Sequence, residues 1–253
     1  MKLIDSHCHL DFDAFDGELN EVIGRARAAG ITDIVIPGVS ADGWEKIRTM
    51  CVADDSLHPC YGLHPYYVDT HTQQDLDWLE TWLAQHDCVA IGECGLDLRR
   101  DQAAEKDQMQ YFSAQLDLAV TFNKPVVIHA VRATTQVIEL LKNYPDLRGM
   151  IHSFSGSYEQ AKQLVDRGFY ISLGGAITYD NAHRVRAVAT KLSLSNLLIE
   201  TDAPDQPDAA HFAQRNEPAY LLNVLNCLRD LRTETREVIA ARTSENARAL
   251  FGI

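Results

Sequence analysis

Short apolar runs recur along this chain, separated by stretches whose apolar positions repeat every three to four residues. The runs fall at 2–6, 31–37, 57–62, 88–93, 125–129, 148–152, 168–174 and 196–201, and each predicts a strand. Ile31-Thr-Asp-Ile-Val-Ile-Pro37 and Pro125-Val-Val-Ile-His129 are nearly continuous in apolar, β-branched residues, as in strands buried on both faces. The stretches between them, 17–29, 41–53, 73–86, 105–122, 133–143, 157–167 and 180–190, predict amphipathic helices. A proline-rich segment at 202–218 follows the eighth run, and helical sequence then extends to about residue 250. Gly30, Asn123 and Gly168 stand where helices would need C-terminal caps, and Ser40 and Ser157 stand at N-caps. Eight strand–helix alternations without a linker predict an α/β fold, a (β/α)8 TIM barrel, as one domain over residues 1–253.

The ends of these runs carry the chemistry. His7 and His9 follow the first run, Glu93 closes the fourth, His129 the fifth, His152 the sixth, and Asp202 follows the eighth. A closed parallel sheet delivers its strand ends to one face, so donors far apart in sequence converge there. On an extended backbone His7 and His9 share one side while Cys8 points away, so the two imidazoles can grip one ion. Six donors placed this way point to metal-assisted hydrolysis. The remaining histidines, His58, His71, His86, His183 and His211, have no matching partners and are expected outside the site.

Composition narrows the reading. An apolar content of 46% with 23% charged residues is that of a water-soluble globular domain. No run approaches the length of a membrane span, and the N-terminus enters a strand at once, which predicts a cytoplasmic protein without membrane contact. The six cysteines form no C-x-x-C pair and are expected as buried thiols. The net charge of −13 argues against broad electrostatic contact with nucleic acid. Any phosphate must be neutralised locally, by metal ions and one or two arginines.

Six segments, taken in order, resemble the TatD family of metal-dependent hydrolases within the amidohydrolase superfamily. They are Asp5-Ser-His-Cys-His-Leu-Asp11, Gly62-Leu-His-Pro65, Ile91-Gly-Glu-Cys-Gly-Leu-Asp97, Val127-Ile-His129, Ile151-His-Ser-Phe-Ser-Gly156 and Ile199-Glu-Thr-Asp-Ala-Pro204. Gly174-Gly-Ala-Ile-Thr-Tyr179 and Arg215-Asn-Glu-Pro218 resemble the YjjV-like bacterial branch in particular. The resemblance implies two divalent metal ions, one held by His7, His9 and Asp202, the other by His129 and His152, with Glu93 bridging them. It also implies a bridging water or hydroxide as nucleophile, with Glu93 and Asp202 as the catalytic carboxylates and Asp202 accepting the proton. The implied reaction is phosphodiester hydrolysis in DNA, as a deoxyribonuclease acting on strand ends. The alternative is an amidase, lactonase or carboxylic esterase using the same centre. Imidazole and carboxylate donors suit zinc, manganese, iron or nickel, with magnesium possible during assay.

Two further positions are expected to touch substrate. His64, after the third run, would contact phosphate rather than act as a permanent ligand. Arg132 would be the cationic clamp, although the family more often shows arginine where this chain has Val131; the alternative is a solvated loop arginine. Asp5, Asp11 and Asp97 are expected in structural roles, with Asp11 or Asp97 able to orient a metal-binding imidazole. Glu200 is expected as a supporting residue, and Cys8 and Cys94 as core thiols.

Overall fold

A computed structural model describes all residues, 1–253. Eight parallel strands run in sequential order: β1 (Leu3–Asp5), β2 (Ile31–Pro37), β3 (Leu57–Tyr61), β4 (Ala90–Asp97), β5 (Val126–Val131), β6 (Gly149–Ile151), β7 (Phe169–Leu173) and β8 (Leu197–Ile199). Seven helices fill the crossovers: α1 (Leu19–Ala28), α2 (Trp44–Ala53), α3 (Gln73–Gln85), α4 (Glu105–Thr121), α5 (Thr134–Leu141), α6 (Tyr158–Val165) and α7 (His183–Lys191). Two more, α8 (Leu221–Leu231) and α9 (Arg236–Phe251), follow β8. This is a single-domain (β/α)8 barrel. None of its helices is long and apolar enough to cross a membrane.

Alternation along the strands divides the core. Ile4, Val35, Cys60, Ala90, Val127, Met150 and Leu198 point into the barrel, where Ala247, Leu250 and Phe251 of α9 join them. This last helix plugs the end where the strands begin. It is anchored by Asn246 Nδ2, which donates to the carbonyls of Leu194 (2.9 Å) and Leu197 (2.8 Å). The outer faces of the strands pack against the helices through a larger apolar layer that includes Trp44, Phe112 and Phe169. Each aliphatic side chain moved out of water there contributes about 1.5–3 kcal/mol. Gly30, Asn123 and Gly168 have φ of 94°, 50° and 87°, the left-handed conformation of a C-terminal cap. Ser157 caps α6 by accepting from Gln160 N at 3.2 Å. Ser40 does not act as a cap. Its side chain makes no capping bond, and a short 3-10 turn at Ala41–Gly43 separates it from α2.

The seam between the first and last strands is closed beyond their regular ends. Ser6 N donates to Ile199 O, Asp202 N to His7 O, and His9 N to Ala203 O. Asp5 is fully buried at this seam, where it accepts from Thr201 N at 3.0 Å and from the Thr201 hydroxyl. Burial raises its carboxyl to about 7 despite these donors.

The fourth strand departs from expectation. It does not end at Glu93 but continues to Asp97. Between Ile91 and Cys94 the strand advances three residues while β5 advances two, so Glu93 lies at a bulge. The glycines of Ile91-Gly-Glu-Cys-Gly explain why β4 can lie so close to β5. A Cβ on Gly92 would sit 2.5 Å from Val127 O, and one on Gly95 would sit 2.1 Å from His129 O. Both have positive φ, 143° and 138°.

Candidate metal centre

All six predicted donors meet at the barrel mouth. His7, His9, Glu93, His129, His152 and Asp202 are each buried. The backbone that presents them leaves regular geometry at several strand exits. Arg132, Ser153 and Asp202, just past β5, β6 and β8, have φ of 55°, 43° and 58°. For non-glycine residues this conformation is uncommon and marks constrained, often functional, turns.

The donors form two groups that share Glu93. On one side His7 Nε2 and His9 Nε2 are 3.2 Å apart. His7 Nε2 lies 3.2 Å from Glu93 Oε2 and 3.3 Å from Asp202 Oδ1, and His9 Nε2 is 3.5 Å from each. Two ligands each bound at about 2.0–2.1 Å to one tetrahedral ion sit roughly 3.3–3.4 Å apart. The observed spacings therefore suit a shared cation. Glu93 Oε2 is also buried without a hydrogen-bond partner, and an acceptor-only oxygen in that position needs positive charge. On the other side Glu93 Oε1 is 2.8 Å from His129 Nδ1 and 2.7 Å from His152 Nε2, with those two nitrogens 2.9 Å apart. The residues present fit a metal centre.

Neighbouring groups set the ring orientations. Asp97 Oδ2 lies 3.2 Å from His129 Nε2, so an Nε2–H donated to it leaves the Nδ1 lone pair facing Glu93. This is the imidazole-orienting role that spacing alone could not divide between Asp11 and Asp97. Glu200 Oε1 accepts from Ser153 N and is 3.7 Å from His152 Nδ1, so it supports the β6 exit from behind. Cys8 and Cys94 direct their thiols to the carbonyls of Ala203 and Val127, consistent with core roles.

His64 stands beside the second donor group. Its Nε2 is 3.0 Å from Glu93 Oε1 and 3.2 Å from His129 Nδ1, close enough to belong to the second donor group. Its Nδ1, however, accepts the backbone N–H of Tyr66 at 3.0 Å. In a neutral ring that bond puts the proton on Nε2, which makes this nitrogen a donor rather than a ligand. Burial lowers the His64 pKa to about 4, so the ring is neutral near pH 7. The tautomer suits a hydrogen bond to substrate.

The electrostatics show what the centre demands. Burial opposes ionisation of Glu93, but the imidazoles of His152, His64 and His7 outweigh it and hold the carboxyl well below its ordinary range. Burial likewise opposes a proton on His9, yet Asp202 and Glu93 raise its pKa to about 10. His152 is raised well above its usual value against burial, with Glu93 the main favourable partner. In the absence of metal, protons on histidine balance the two carboxylates, so metal binding must displace them.

A cleft of about 620 Å3 opens over the donors, and its wall includes Phe12, Tyr66, Arg99, Asp205 and Gln206. Gln206 donates through Nε2 to Asp202 Oδ2 and accepts the Ser153 hydroxyl at 2.6 Å through Oε1. The five histidines expected outside do not line this cleft. His71 nevertheless supports it indirectly, its Nε2 lying 3.1 Å from His64 O. Arg132 does not line the cleft. Its exposed side chain borders a neighbouring depression. The arginine in the cleft wall is Arg99, which Asp97 holds through 2.6–3.0 Å contacts. Sequence reasoning passed over it, although two adjacent arginines after the fourth strand of an acidic chain were a usable signal.

A (β/α)8 barrel with this donor set at its mouth has the construction of a metal-dependent hydrolase. The chain belongs to the family described as TatD related DNase, whose model matches residues 4–252. It is 35% identical to the metal-dependent hydrolase YjjV of Escherichia coli K12, over 100% of this chain and 98% of that protein. It is 39% identical to a metal-dependent hydrolase of Haemophilus influenzae, over 99% of this chain and 100% of the relative. The crystal structure of YjjV superposes with a TM-score of 0.96, covering 99% of this chain and 98% of that one. A TatD family hydrolase from Entamoeba histolytica, at 20% identity, shares the fold with a TM-score of 0.86 over 99% of this chain and 98% of its own.

Proposed function

We propose that this protein is a two-metal phosphodiesterase, a deoxyribonuclease acting at single-stranded DNA ends. The observation that carries the reading is the shared carboxylate: Glu93 faces His7 and His9 through Oε2, and His129 and His152 through Oε1. In the proposed site His7, His9 and Asp202 hold one divalent ion, His129 and His152 hold another, and Glu93 serves both. Zinc or manganese suits these donors. When bound, the ions would lower the pKa of water and polarise a phosphoryl oxygen.

The chain's own groups do the remaining work. Asp202 presents Oδ1 to the histidine pair while Gln206 holds Oδ2, so the carboxylate is oriented to accept the proton released on attack. His64 donates Nε2–H to a phosphate oxygen, with its ring orientation set by Tyr66 N. Arg99 adds a guanidinium to the wall, and the exposed ring of Tyr66 gives a base a flat surface. The DNase description of the family supports the same chemistry. A second reading, hydrolysis of amides, lactones or carboxylic esters at the same centre, draws on the net charge of −13, which does not favour polyanions.

Metal-loaded protein incubated with labelled single-stranded DNA, bis(p-nitrophenyl) phosphate and a panel of carboxylic esters and lactones separates the two. Cleavage of the phosphodiesters supports the proposal. Turnover confined to esters or lactones replaces it with the second reading.

A further inference from the structure

Many arginines of this chain are occupied by its excess of carboxylates. Arg25 pairs with Glu217, Arg215 with Glu18 and Glu217, and Arg232 with Glu234. One place differs. Arg99, Arg100 and Arg132 border a depression of about 460 Å3, whose lining contains one acid, Asp101. Arg99 lines both this hollow and the cleft over the metal centre, so the two adjoin. Asp97 holds Arg99, whereas Arg100 and Arg132 have exposed side chains and are absent from the ion pairs and side-chain hydrogen bonds of the fold.

Folding alone does not account for this arrangement. Like charges gathered around one hollow repel, and Arg132 adds a left-handed backbone at φ 55°. Such a conformation is uncommon for a non-glycine residue and persists where its surroundings enforce it. An anion bound there offsets the repulsion. The guanidinium fork matches phosphate oxygens in pairs and is the usual residue for that purpose. Tyr66, 52% exposed, lines the cleft beside Arg99, whose guanidinium is 5.8 Å from its ring centroid. Cleft, aromatic ring and arginine hollow thus adjoin through Arg99, a juxtaposition that suits a phosphate, a base and a further phosphate.

We propose that Arg99, Arg100 and Arg132 form an anion subsite for the phosphate next to the scissile one in an oligonucleotide, with Tyr66 stacked on the intervening base. This assignment rests on the phosphodiesterase reading of the centre and narrows it. The preferred substrate carries at least two phosphates, and a lone diester reaches only the metals.

The test compares bis(p-nitrophenyl) phosphate, the dinucleotide dTpdT, and the same dinucleotide bearing an extra terminal phosphate at either end. Wild-type protein should favour one of the doubly phosphorylated forms over dTpdT by about tenfold in kcat/KM. Arg100→Ala should remove most of that preference while leaving bis(p-nitrophenyl) phosphate turnover within about twofold. Arg100→Lys should restore it in part, and Arg132→Ala should reduce it in the same sense. Equal loss on all substrates would mean that Arg100 supports the fold or the centre, and an unchanged preference would mean that the hollow binds nothing; either overturns the subsite. If wild-type protein cleaves no phosphodiester, the centre has been misread, and the subsite is then judged by binding of dye-labelled dinucleotides. Arg100→Ala weakening only the doubly phosphorylated ligand, by at least about fivefold, keeps the subsite. Equal binding by both proteins removes it as well.

Discussion

Replacing Glu93 with glutamine tests the centre most directly. Five imidazole nitrogens, from His152, His129, His64, His7 and His9, lie 2.7–3.5 Å from its two oxygens. Glutamine keeps the shape, which matters at a bulge where β4 lies against β5, but it is neutral and turns one acceptor into a donor. Whichever way the amide rotates, one donor group faces N–H instead of a lone pair. A unit charge about 4 Å away is worth about 4 kcal/mol at an effective dielectric of 20, so losing it beside the two proposed dications would weaken at least one of them decisively. Bound metal should fall from two equivalents toward one. The kcat/KM for bis(p-nitrophenyl) phosphate should drop by at least about a hundredfold, or roughly 2.7 kcal/mol. Elemental analysis after dialysis, together with steady-state rates, measures both. Two retained equivalents with near wild-type turnover would show that Glu93 does not bridge.

His64→Ala should leave metal content unchanged and lower kcat/KM by about 1–3 kcal/mol, the worth of a hydrogen bond to a charged phosphate; loss of metal would make His64 a ligand. Chelation should lower the melting temperature, and titrated zinc or manganese should restore it, because ions bound only by the folded state stabilise it by mass action; identical melting of apo and loaded protein would count against a preformed centre. The His9 pKa is raised to about 10 in the metal-free fold, so its contribution is fully present below about 6.5 and is lost as pH rises through 10. Stability of the apo protein should therefore decline over that window, while metal affinity measured by calorimetry rises across it as the proton to be displaced is lost. With only two or three phosphates engaged, log(kcat/KM) against log salt on single-stranded DNA should slope by about −1.5 to −2, and a much steeper dependence would reveal a basic groove elsewhere.

The strand-like runs and amphipathic spacings determined the architecture because burial on two faces, or on one helical stripe, leaves a periodic mark in the chain itself. The same was true of the donors. His7, His9, His129, His152 and Asp202 follow apolar runs, and a parallel barrel carries every such exit to one mouth. Glu93 is expected from the sequence at a strand end, but it lies at a bulge inside β4. The extra residue in β4 became visible only against its partner β5, because a bulge is a mismatch between two strands.

Tertiary structure decided what depends on neighbours distant in sequence. Whether His64 is a ligand or a proton donor turns on Tyr66 N, and a local hydrogen bond of that kind has no periodic signature. Asp97 reaches His129 across 32 positions, and Asp5 seals the barrel through Thr201 across 196. The choice between Arg99 and Arg132 could not be read from strand alternation, because both lie where the chain has left the sheet. Backbone turns there set direction: φ of 55° at Arg132 places its side chain at the adjoining hollow, while Asp97 holds Arg99 in the cleft wall. Patterning fixes which residues lie on a buried strand and which end they leave from. Once the chain enters the loops, orientation is set by individual contacts, and those exist only when the barrel has closed.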